Sequence, residues 1–527
     1  MIVGIDLGTT FSVAAYVDDN GAPHVVTNRD GKNTTPSVVM FDDGEIIVGQ
    51  QAKNNAQLDP MNVSQFVKRQ MGNKDYYFET DDGSRYSAED ISARILKRIC
   101  EDCESVLGEK VDRAVITVPA YFSDAQRQAT IDAGRIAGLD VMAVINEPTA
   151  AALAYGVTKE EHQRVMVYDL GGGTFDVTII EINEGKVRVL ATHGNRNLGG
   201  FDFDNRLINY AAKQFQERTG IDIEDDDEAM QVLRSRCEEA KIALSNSEKY
   251  RISISAQRCK PEKIEITRTK FEELIHSLIL ETEVSVDVAL EESGLSARDI
   301  DKVLLVGGST RIPAVRNFIA EKMKTNPSGE LNPDEAVAVG AAIYANDLAK
   351  QKKDGNGAGG FCDGGAAGKT YGGTGAGSST GDVGTQVPVI QDVNSHGLGV
   401  VISRENGTMG NSVIIPRNQP IPATASEVYA TVADNQTEIQ LQVTEGDDED
   451  LSYVNVIGTA EIKINPHPAG SPVRVDLGYD QNGIVMGRVY DLVDNVFIGE
   501  IVIKRDANMS EEELQSKVQR IQNEELQ

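Results

Sequence analysis

The stretch Gly4-Ile5-Asp6-Leu7-Gly8-Thr9-Thr10 and the stretch Tyr168-Asp169-Leu170-Gly171-Gly172-Gly173-Thr174 repeat one pattern. In each, an apolar run ends in Asp-Leu-Gly, and a hydroxylated residue follows where the chain is expected to turn back. Glycine lets backbone N–H groups approach phosphate oxygens, because no Cβ stands in the way. An aspartate before the turn suits hydrated Mg²⁺, which prefers oxygen ligands. One copy alone is equally consistent with an ordinary glycine-containing hairpin, but two copies predict related halves that face one phosphate-binding cleft.

The bulk composition limits the class of protein. The chain has 527 residues and a net charge of −31, from 51 Lys plus Arg against 82 Asp plus Glu. This length predicts three or four structural units. The acidity argues against nucleic acid and anionic membrane as partners, although it does not exclude a nucleotide held by a local site. No export signal precedes the first strand, and the apolar runs are far shorter than the roughly 20 residues that cross a bilayer, so we expect a cytoplasmic protein.

The five cysteines do not form a pattern typical of a disulfide framework. Cys100 and Cys103 are three residues apart on an expected helix, and no second Cys or His pair completes a zinc site. We therefore expect free thiols.

Composition divides the chain into five segments. Residues 1–350 alternate short β-branched runs with helical stretches, which is typical of an α/β fold. Residues 351–386 are a glycine-rich tether, in which the stretch 364–370 imitates a phosphate loop but is one residue short between its outer glycines. An interdomain linker is expected at 387–393, and an all-β sandwich of seven or eight strands at 394–508. A helix at 509–527 begins at the capping box of Ser510 and Glu513.

Several stretches together resemble one family, the DnaK-like molecular chaperones or 70-kilodalton heat-shock proteins. The resemblance covers nearly the whole chain and rests on both repeats and on Val118-Pro119-Ala120-Tyr121-Phe122, Asn146-Glu147-Pro148-Thr149-Ala150-Ala151 and Val306-Gly307-Gly308-Ser309-Thr310-Arg311-Ile312-Pro313. It implies an actin-like or hexokinase-like two-lobed ATPase domain, then an all-β sandwich domain and one short C-terminal helix, a remnant of the helical lid. The implied cofactors are ATP or ADP, Mg²⁺ and K⁺.

The resemblance assigns roles to matched positions around the nucleotide. It implies catalytic roles for Lys68, Glu147, Thr174 and Asp176, and places Asp6 and Asp169 around the metal ions. The residues implied to bind the nucleotide are Gly8, Thr9, Thr10, Gly171, Gly172, Gly173, Glu238, Lys241, Ser245, Gly307, Gly308, Ser309, Arg311 and Asp334. Simpler interpretations stay open: a solvent-facing lysine for Lys68, a helix N-terminal charge for Glu147, and a surface ion pair for Glu238 and Lys241.

Two further groups follow from the resemblance. Pro119, Arg127 and Asp392 match positions that relay the nucleotide state to the linker, although Pro119 also has an ordinary structural use at a strand end. The candidates for binding an extended apolar peptide are Val400, Ile402, Tyr429, Val432, Leu441 and Val443. Half of these six are expected to be core residues, because alternation fills the sandwich interior first.

Three departures from the family pattern leave the function open. The linker reads Pro388-Val389-Ile390-Gln391 before Asp392 instead of a leucine run, the glycine-rich tether is an insertion, and only one helix follows the sandwich. The expected function is an ATP-dependent chaperone for unfolded polypeptides, with a J-domain co-chaperone and a nucleotide-exchange factor as partners. The alternatives are a nucleotide-gated adaptor for one native partner and a small-molecule kinase of the actin and hexokinase fold.

Overall fold

The computed structural model describes residues 1–42, 44–156, 162–184, 186–224, 226–255, 260–353, 390–404, 407–501 and 509–527. Nearly all of the glycine-rich tether, together with Val387, Pro388 and Val389 of the linker, lies outside these residues. The described part divides into an N-terminal α/β region (1–353), a C-terminal β region (390–501) and a terminal helix. It is a mixed α/β protein, as the sequence predicts. No helix within the described ranges is long and apolar enough to span a membrane.

The N-terminal α/β region contains seventeen of the described strands and nine of the described α-helices. The strands are β1 (Ile2–Asp6), β2 (Phe11–Val17), β3 (Pro23–Val25), β4 (Thr35–Pro36), β5 (Val38–Asp42), β6 (Glu45–Val48), β7 (Val63–Gln65), β8 (Phe78–Glu79), β9 (Arg85–Tyr86), β10 (Arg113–Val118), β11 (Asp140–Asn146), β12 (Gln163–Leu170), β13 (Phe175–Asn183), β14 (Lys186–Asn195), β15 (Lys249–Ile254), β16 (Glu262–Thr267) and β17 (Lys302–Val306). The helices are α1 (Gln50–Asn55), α2 (Ala88–Leu107), α3 (Asp124–Ile136), α4 (Glu147–Gly156), α5 (Gly200–Thr219), α6 (Asp227–Leu244), α7 (Arg268–Ser293), α8 (Pro313–Met323) and α9 (Ala336–Lys353). Short 3-10 turns occur at Pro60–Asn62, Val67–Gln70, Ala297–Asp299 and Gly308–Arg311.

Two large sheets of this region have the same core topology. The first runs β11-β10-β1-β2-β3, with β4 also paired to β2, and the second runs β17-β12-β13-β14. In each, a central strand (β1 or β12) pairs antiparallel with the next strand along the chain and parallel with a later one (β10 or β17). The central strands end at Asp6 and Leu170, within the two sequence repeats. The sequence repeat is therefore a structural duplication.

Helices α4 and α9 lie between the two sheets and pack on each other. Their contact is close at Gly340, where a Cβ would lie 1.7 Å from the carbonyl oxygen of Ala150, and α9 reaches β1 at Gly4, where a Cβ would lie 2.1 Å from the backbone nitrogen of Ala342. Only glycine permits such backbone approaches. This pair of helices fixes the distance between the two sheets, and with it the width of the cleft between the repeats.

The C-terminal β region begins with a short strand, β18 (Ile390–Gln391), that pairs with β14 as the fifth strand of the second large sheet. Eight further strands follow: β19 (Leu398–Ser403), β20 (Met409–Ile415), β21 (Ala423–Ala430), β22 (Gln436–Glu445), β23 (Asn455–His467), β24 (Pro472–Tyr479), β25 (Val485–Asp491) and β26 (Val496–Glu500), with a 3-10 turn at Leu451–Tyr453. They form two antiparallel sheets, β20-β19-β22-β23 and β21-β24-β25-β26, that share one hydrophobic core.

The terminal helix, α10 (Glu511–Gln522), packs on α2 and α3 of the N-terminal region. Its apolar residues Leu514 and Ile521 are buried against Ala93 and Ile136, while Val518 is half-buried. Beyond α10, the backbone of Gln527 exchanges hydrogen bonds with Ile46 and Val48 of β6. The helix expected as a lid remnant therefore lies on the N-terminal region.

Candidate functional site

A cavity of about 490 Å³ opens between the two large sheets and is lined by both repeats. This volume lies within the range of ordinary small-ligand sites. The repeats touch directly at its base: a Cβ on Gly172 would lie 1.9 Å from Thr10 Oγ1, and one on Gly173 would lie 2.7 Å from Thr9 Cγ2. Glycines at these points let the two turns meet, so that a single ligand can contact both.

Most of the residues assigned to the nucleotide line this one cavity. The lining set includes Asp6, Gly8, Thr9, Thr10, Lys68, Glu147, Asp169, Gly171, Gly172, Thr174, Glu238, Lys241, Ser245, Gly307, Gly308, Ser309, Arg311 and Asp334. Gly173 and Asp176 are not among the lining residues. Gly173 lies within the second turn, where it meets Thr9, and Asp176 follows the turn in β13. Asp176 is buried, and its Oδ1 accepts the backbone N–H of Tyr121 at 3.1 Å. It lies next to the cavity in a supporting position.

One end of the cavity concentrates negative charge. Asp6 ends β1, Asp169 lies near the end of β12 and Glu147 begins α4. Asp169 and Glu147 are buried together with Lys68, and Asp6 is half-buried. Lys68 Nζ donates a hydrogen bond to Glu147 Oε1 at 2.5 Å. A solvent-facing role for Lys68 is thereby excluded, because its side chain is only 6% exposed.

The electrostatics of these carboxylates favour a bound cation. Burial raises the pKa of Asp6 to about 7, with the Glu147 carboxylate adding to the rise. Burial also raises the pKa of Asp169 well above its ordinary value, and that of Asp176 to about 7. Lys68 supplies one positive charge against four carboxylates. Carboxylate oxygens gathered beside two glycine turns are a donor set that fits Mg²⁺ with its waters, so the residues present fit the expected metal.

The opposite end of the cavity is built by α6 and by the turn that follows β17. Lys241 Nζ donates to Asp204 Oδ2 at 2.6 Å and to the carbonyl oxygen of Gly200, and Glu238 pairs with Lys53 at 2.7 Å. The surface ion pair between Glu238 and Lys241 that was considered from the sequence is therefore not formed, because each side chain pairs with another residue. Both side chains nevertheless line the cavity.

The turn after β17 provides the remaining wall. Ser309 Oγ donates to the carbonyl oxygen of Gly171 at 2.8 Å and so joins this turn to the second repeat. Arg311 is half-exposed at the rim, where it donates to Asp334 Oδ2 at 2.6 Å and to Asn332 Oδ1. A flat guanidinium held in this way offers a stacking surface to an aromatic ring at the mouth of the cavity.

Sequence reasoning missed several residues of this site. Asp204 is buried beneath Lys241, Lys53 holds Glu238, and Gly199 and Gly200 begin α5 directly behind the second repeat. A Cβ on Gly199 would lie 2.5 Å from the backbone nitrogen of Gly173. The Gly-Gly pair before a helix was a usable sequence signal, because a helix N-terminus with unshielded N–H groups favours anions.

The residues assigned to the relay meet at one place behind Glu147. Arg127 donates to Asn146 Oδ1 at 2.7 Å, and Asn146 Nδ2 donates to Asp392 Oδ2 at 2.9 Å, which also accepts from Thr149 Oγ1. Asn146 immediately precedes Glu147 in the chain, and sequence reasoning did not assign it to the relay. Pro119 lies outside this hydrogen-bond cluster but begins the turn 119–122, since the N–H of Phe122 donates to its carbonyl oxygen.

The same turn contacts the C-terminal β region. Ala120 O accepts hydrogen bonds from Arg127 and from Ser395 Oγ, the latter at 2.5 Å. The neighbouring Tyr121 ring lies 4.4 Å from the ring of His396. Since the N–H of Tyr121 also donates to Asp176, the turn joins the carboxylate cluster to the β region within two residues.

The six peptide-binding candidates are divided between the core and the surface. Val400, Leu441 and Val443 are buried in the core between the two C-terminal sheets. Val432 is 77% exposed in the turn between β21 and β22, while Ile402 and Tyr429 are half-buried. The expectation that half of the candidates are core residues agrees with this division.

Comparison with known proteins identifies the family. The model of the Hsp70 protein family matches residues 2–356 and 373–527. The chain belongs to the Hsp70 family. A chaperone protein DnaK from Thermotoga petrophila is 41% identical over 529 aligned residues, which cover 98% of this chain and 83% of that protein.

Proposed function

We propose that this Hsp70-family chain is an ATP-dependent molecular chaperone, in which ATP hydrolysis controls the binding of extended apolar segments of unfolded polypeptides. Membership of the family and the 41% identity to a chaperone protein DnaK support both the ATPase activity and the chaperone function. The observation that carries the proposal is the shared cavity, because two duplicated glycine turns and a buried lysine–carboxylate cluster meet at one end of it.

The two large N-terminal sheets with their helices would form the two lobes of an actin-like ATPase domain. Their common topology and the cavity between them support this arrangement. The two C-terminal sheets would form a β sandwich, since both contribute to one core. We retain the boundaries expected from the sequence, with the change that α9 continues to Lys353, three residues into the expected tether.

The nucleotide phosphates would lie against the glycine turns, with Thr10 and Thr174 beside them and the base near Arg311. Asp6 and Asp169 would hold Mg²⁺ through its waters, and K⁺ ions would lie nearby. When bound, the metal ion supplies positive charge to the phosphate oxygens. Lys68 would stabilise negative charge on the transferring phosphoryl group, and Glu147 would fix the ammonium group in place. Asp176 accepts the backbone N–H of Tyr121. We therefore propose that the effect of Asp176 on the attacking water is indirect.

The peptide would bind at the exposed turn between β21 and β22. Val432 is the most exposed of the candidates, and Tyr429 and Ile402 are partly accessible. Exposed apolar residues near β21 add to this surface, with Val428 50% and Met409 56% exposed. The buried residues Val400, Leu441 and Val443 would support the binding surface without contacting the peptide.

The contacts of Asp392 favour a coupled chaperone over a fixed adaptor. The linker strand β18 pairs with β14 through Ile390 and Gln391 despite the unusual linker sequence, and Asp392 is bonded to Asn146 beside Glu147. A J-domain co-chaperone and a nucleotide-exchange factor are the partners we propose from the family. A cytoplasmic location stays a prediction from the sequence.

The decisive experiment measures the dissociation rate of a labelled apolar peptide from the full chain with ADP and with ATP·Mg²⁺. We expect faster release with ATP. The Asp392→Ala variant removes the acceptor of Asn146 and Thr149 and should hydrolyse ATP without accelerating peptide release, whereas Gln391→Ala, an exposed neighbour, should behave as the wild type. Equal rates in the wild type would support the adaptor. Formation of ADP and a phosphorylated product only with an added small-molecule acceptor would support the kinase.

A further inference from the structure

Three side chains able to bind a metal meet at one end of the C-terminal β region, away from the N-terminal cavity. His467 ends β23, Asp491 ends β25 and Asp494 lies in the turn before β26. His467 Nε2 lies 2.9 Å from Asp491 Oδ2 and 3.4 Å from Asp494 Oδ2. One donor atom from each residue lies within 4.8 Å of the other two.

The cluster is held in place before any ligand arrives. Asp491 is buried, and its Oδ1 accepts the backbone N–H groups of Val493 and Asp494, which leaves Oδ2 directed at the imidazole. The side chain of His467 is 14% exposed and that of Asp494 is 38% exposed. Asn465 donates to Asp494 Oδ2 at 2.6 Å and so fixes the third carboxylate as well. The three side chains are thus held by hydrogen bonds within the protein, and the cluster is open to solvent on one side.

The spacing fits a small transition metal. Ligand atoms about 2.0–2.2 Å from a tetrahedral Zn²⁺ lie roughly 3.3 Å from one another, and the two separations from His467 Nε2, 2.9 and 3.4 Å, lie on either side of that value. One imidazole nitrogen with two carboxylate oxygens is a donor set that suits zinc and related divalent ions. Three protein ligands leave a fourth position for water. A plain histidine–carboxylate ion pair is the simpler alternative, and such pairs near the surface contribute little stability.

The position of His467 links the cluster to the turn that carries Val432. The carbonyl oxygen of His467 accepts the N–H of Asn435, and the N–H of Ala469 donates to Asp434 Oδ1, both at 2.8 Å. Gly470 and Ser471 exchange further backbone hydrogen bonds with Thr431. The segment 467–471 therefore holds both ends of the turn 431–435, and whatever immobilises His467 also restrains that turn.

We propose that His467, Asp491 and Asp494 bind a divalent transition metal such as Zn²⁺, and that the bound metal stiffens the turn 431–435. The metal site stands independently of the chaperone assignment. The effect of the metal on peptide release rests on the proposed function, because it requires the turn to contact the peptide. A stiffer turn opens less often, so metal-loaded protein releases peptide more slowly.

The metal site is tested by titrating the full chain with Zn²⁺ in a calorimeter, after removal of bound metals and with Mg·ADP already occupying the nucleotide cavity. His467→Gln and Asp494→Asn should each lose one bound equivalent relative to the wild type. His162→Gln is the matched control, because His162 Nε2 contacts a single carboxylate, Glu181, at 3.0 Å. It should bind as many equivalents as the wild type. The cysteines are common to all four proteins and cancel in the comparison.

The metal site is refuted if His467→Gln and Asp494→Asn, both folded by circular dichroism, bind the same number of Zn²⁺ equivalents as the wild type. A second measurement follows the dissociation of a labelled apolar peptide with and without Zn²⁺, and slower release in the wild type alone supports the link to the turn. Unchanged release in metal-loaded wild type would refute that link. Absence of peptide binding under every condition would refute the proposed function, while the titration would still decide the metal site.

Discussion

The Glu445→Gln variant should make the contact between the N-terminal α/β region and the C-terminal β region sensitive to acid. Glu445 is buried at this contact, where its Oε1 accepts the backbone N–H of Asp124 at 3.3 Å and lies 3.9 Å from Nδ1 of His396. Its Oε2 has no hydrogen-bond partner among the described residues. The other ionisable groups close to Glu445 are Asp124, Arg127, Arg196 and Tyr479.

Glu445 and His396, two of the titrating groups at this contact, have opposite effects on it. Burial, reinforced by Asp124, raises the pKa of Glu445 from 4.5 to about 7, so the contact is strongest at low pH and weakens as the pH rises through this window. Burial, reinforced by Arg196, lowers the pKa of His396 from 6.5 to about 3, so its contribution is complete above pH 6.5 and is lost as the pH falls. Between pH 4.5 and 6.5 the two effects cancel in the wild type.

In Glu445→Gln the effect of His396 is no longer opposed by Glu445. One proton taken up on separation corresponds to about 1.4 kcal/mol per pH unit. Lowering the pH from 6.5 to about 5 should therefore weaken the contact by about 2 kcal/mol, which is roughly a thirtyfold change in the docking equilibrium. The reciprocal variant, His396→Gln, should lose docking as the pH rises from 4.5 to about 7.

Small-angle X-ray scattering with a non-hydrolysable ATP analogue measures the docked fraction, because separation of the two regions increases the radius of gyration. The matched control is Glu438→Gln, which removes the same charge from an exposed position of the same β region. It should titrate as the wild type does. The reasoning is refuted if Glu445→Gln keeps a constant docked fraction between these pH values, or if the wild type loses docking in acid to the same extent.

Three shorter predictions test the site and the packing. Lys68→Met should slow single-turnover phosphate release about a hundredfold to a thousandfold, because a donor that stabilises the charge of the phosphoryl group is lost. ADP should still bind, because the two glycine turns are unchanged. An unchanged rate would show that Lys68 takes no part in the reaction. Gly340→Ala should prevent correct folding, because its Cβ would lie 1.7 Å from the carbonyl oxygen of Ala150, whereas Gly329→Ala enters open space and should leave the melting temperature unchanged. Ile521→Ala should cost the packing of α10 about 2–5 kcal/mol and so speed amide hydrogen exchange throughout that helix; exchange as slow as in the wild type would contradict the packing.

The duplicated core could be predicted from the sequence because its signals are local. Each repeat couples a strand end to a glycine turn, and the segments between them show clear helical or strand periodicity, so the alternation of strands and helices in residues 1–350 could be predicted. The pairing of Ile390 and Gln391 with β14 could not be predicted. Two residues carry no periodicity, and their partners Val187 and Arg188 lie some two hundred positions earlier in the chain.

Contacts between distant parts of the chain also limit what could be predicted about the side chains of the site. The turns that line the cavity are encoded in contiguous motifs, whereas the partner of Lys241, Asp204, is brought to it by the packing of α5 against α6. In the β region, alternation located the strands but not the side of each strand that faces the core, because both faces of a strand follow the same period of two. Val400 and Val432 were therefore equal candidates in the sequence, and only the fold separates them.

The position of Asn146 gives the relay a physical form. Its amide accepts from Arg127 and donates to Asp392, while the next residue, Glu147, accepts from Lys68 inside the cavity. Turning the backbone at Glu147 would also turn the backbone of Asn146, because the peptide unit that joins them is planar and stiff. Any such turn strains two hydrogen bonds at once, one to α3 and one to the linker. We therefore predict that the buried pair Asn146–Glu147, more than Arg127 or Pro119 alone, transmits the state of the cavity to the β region.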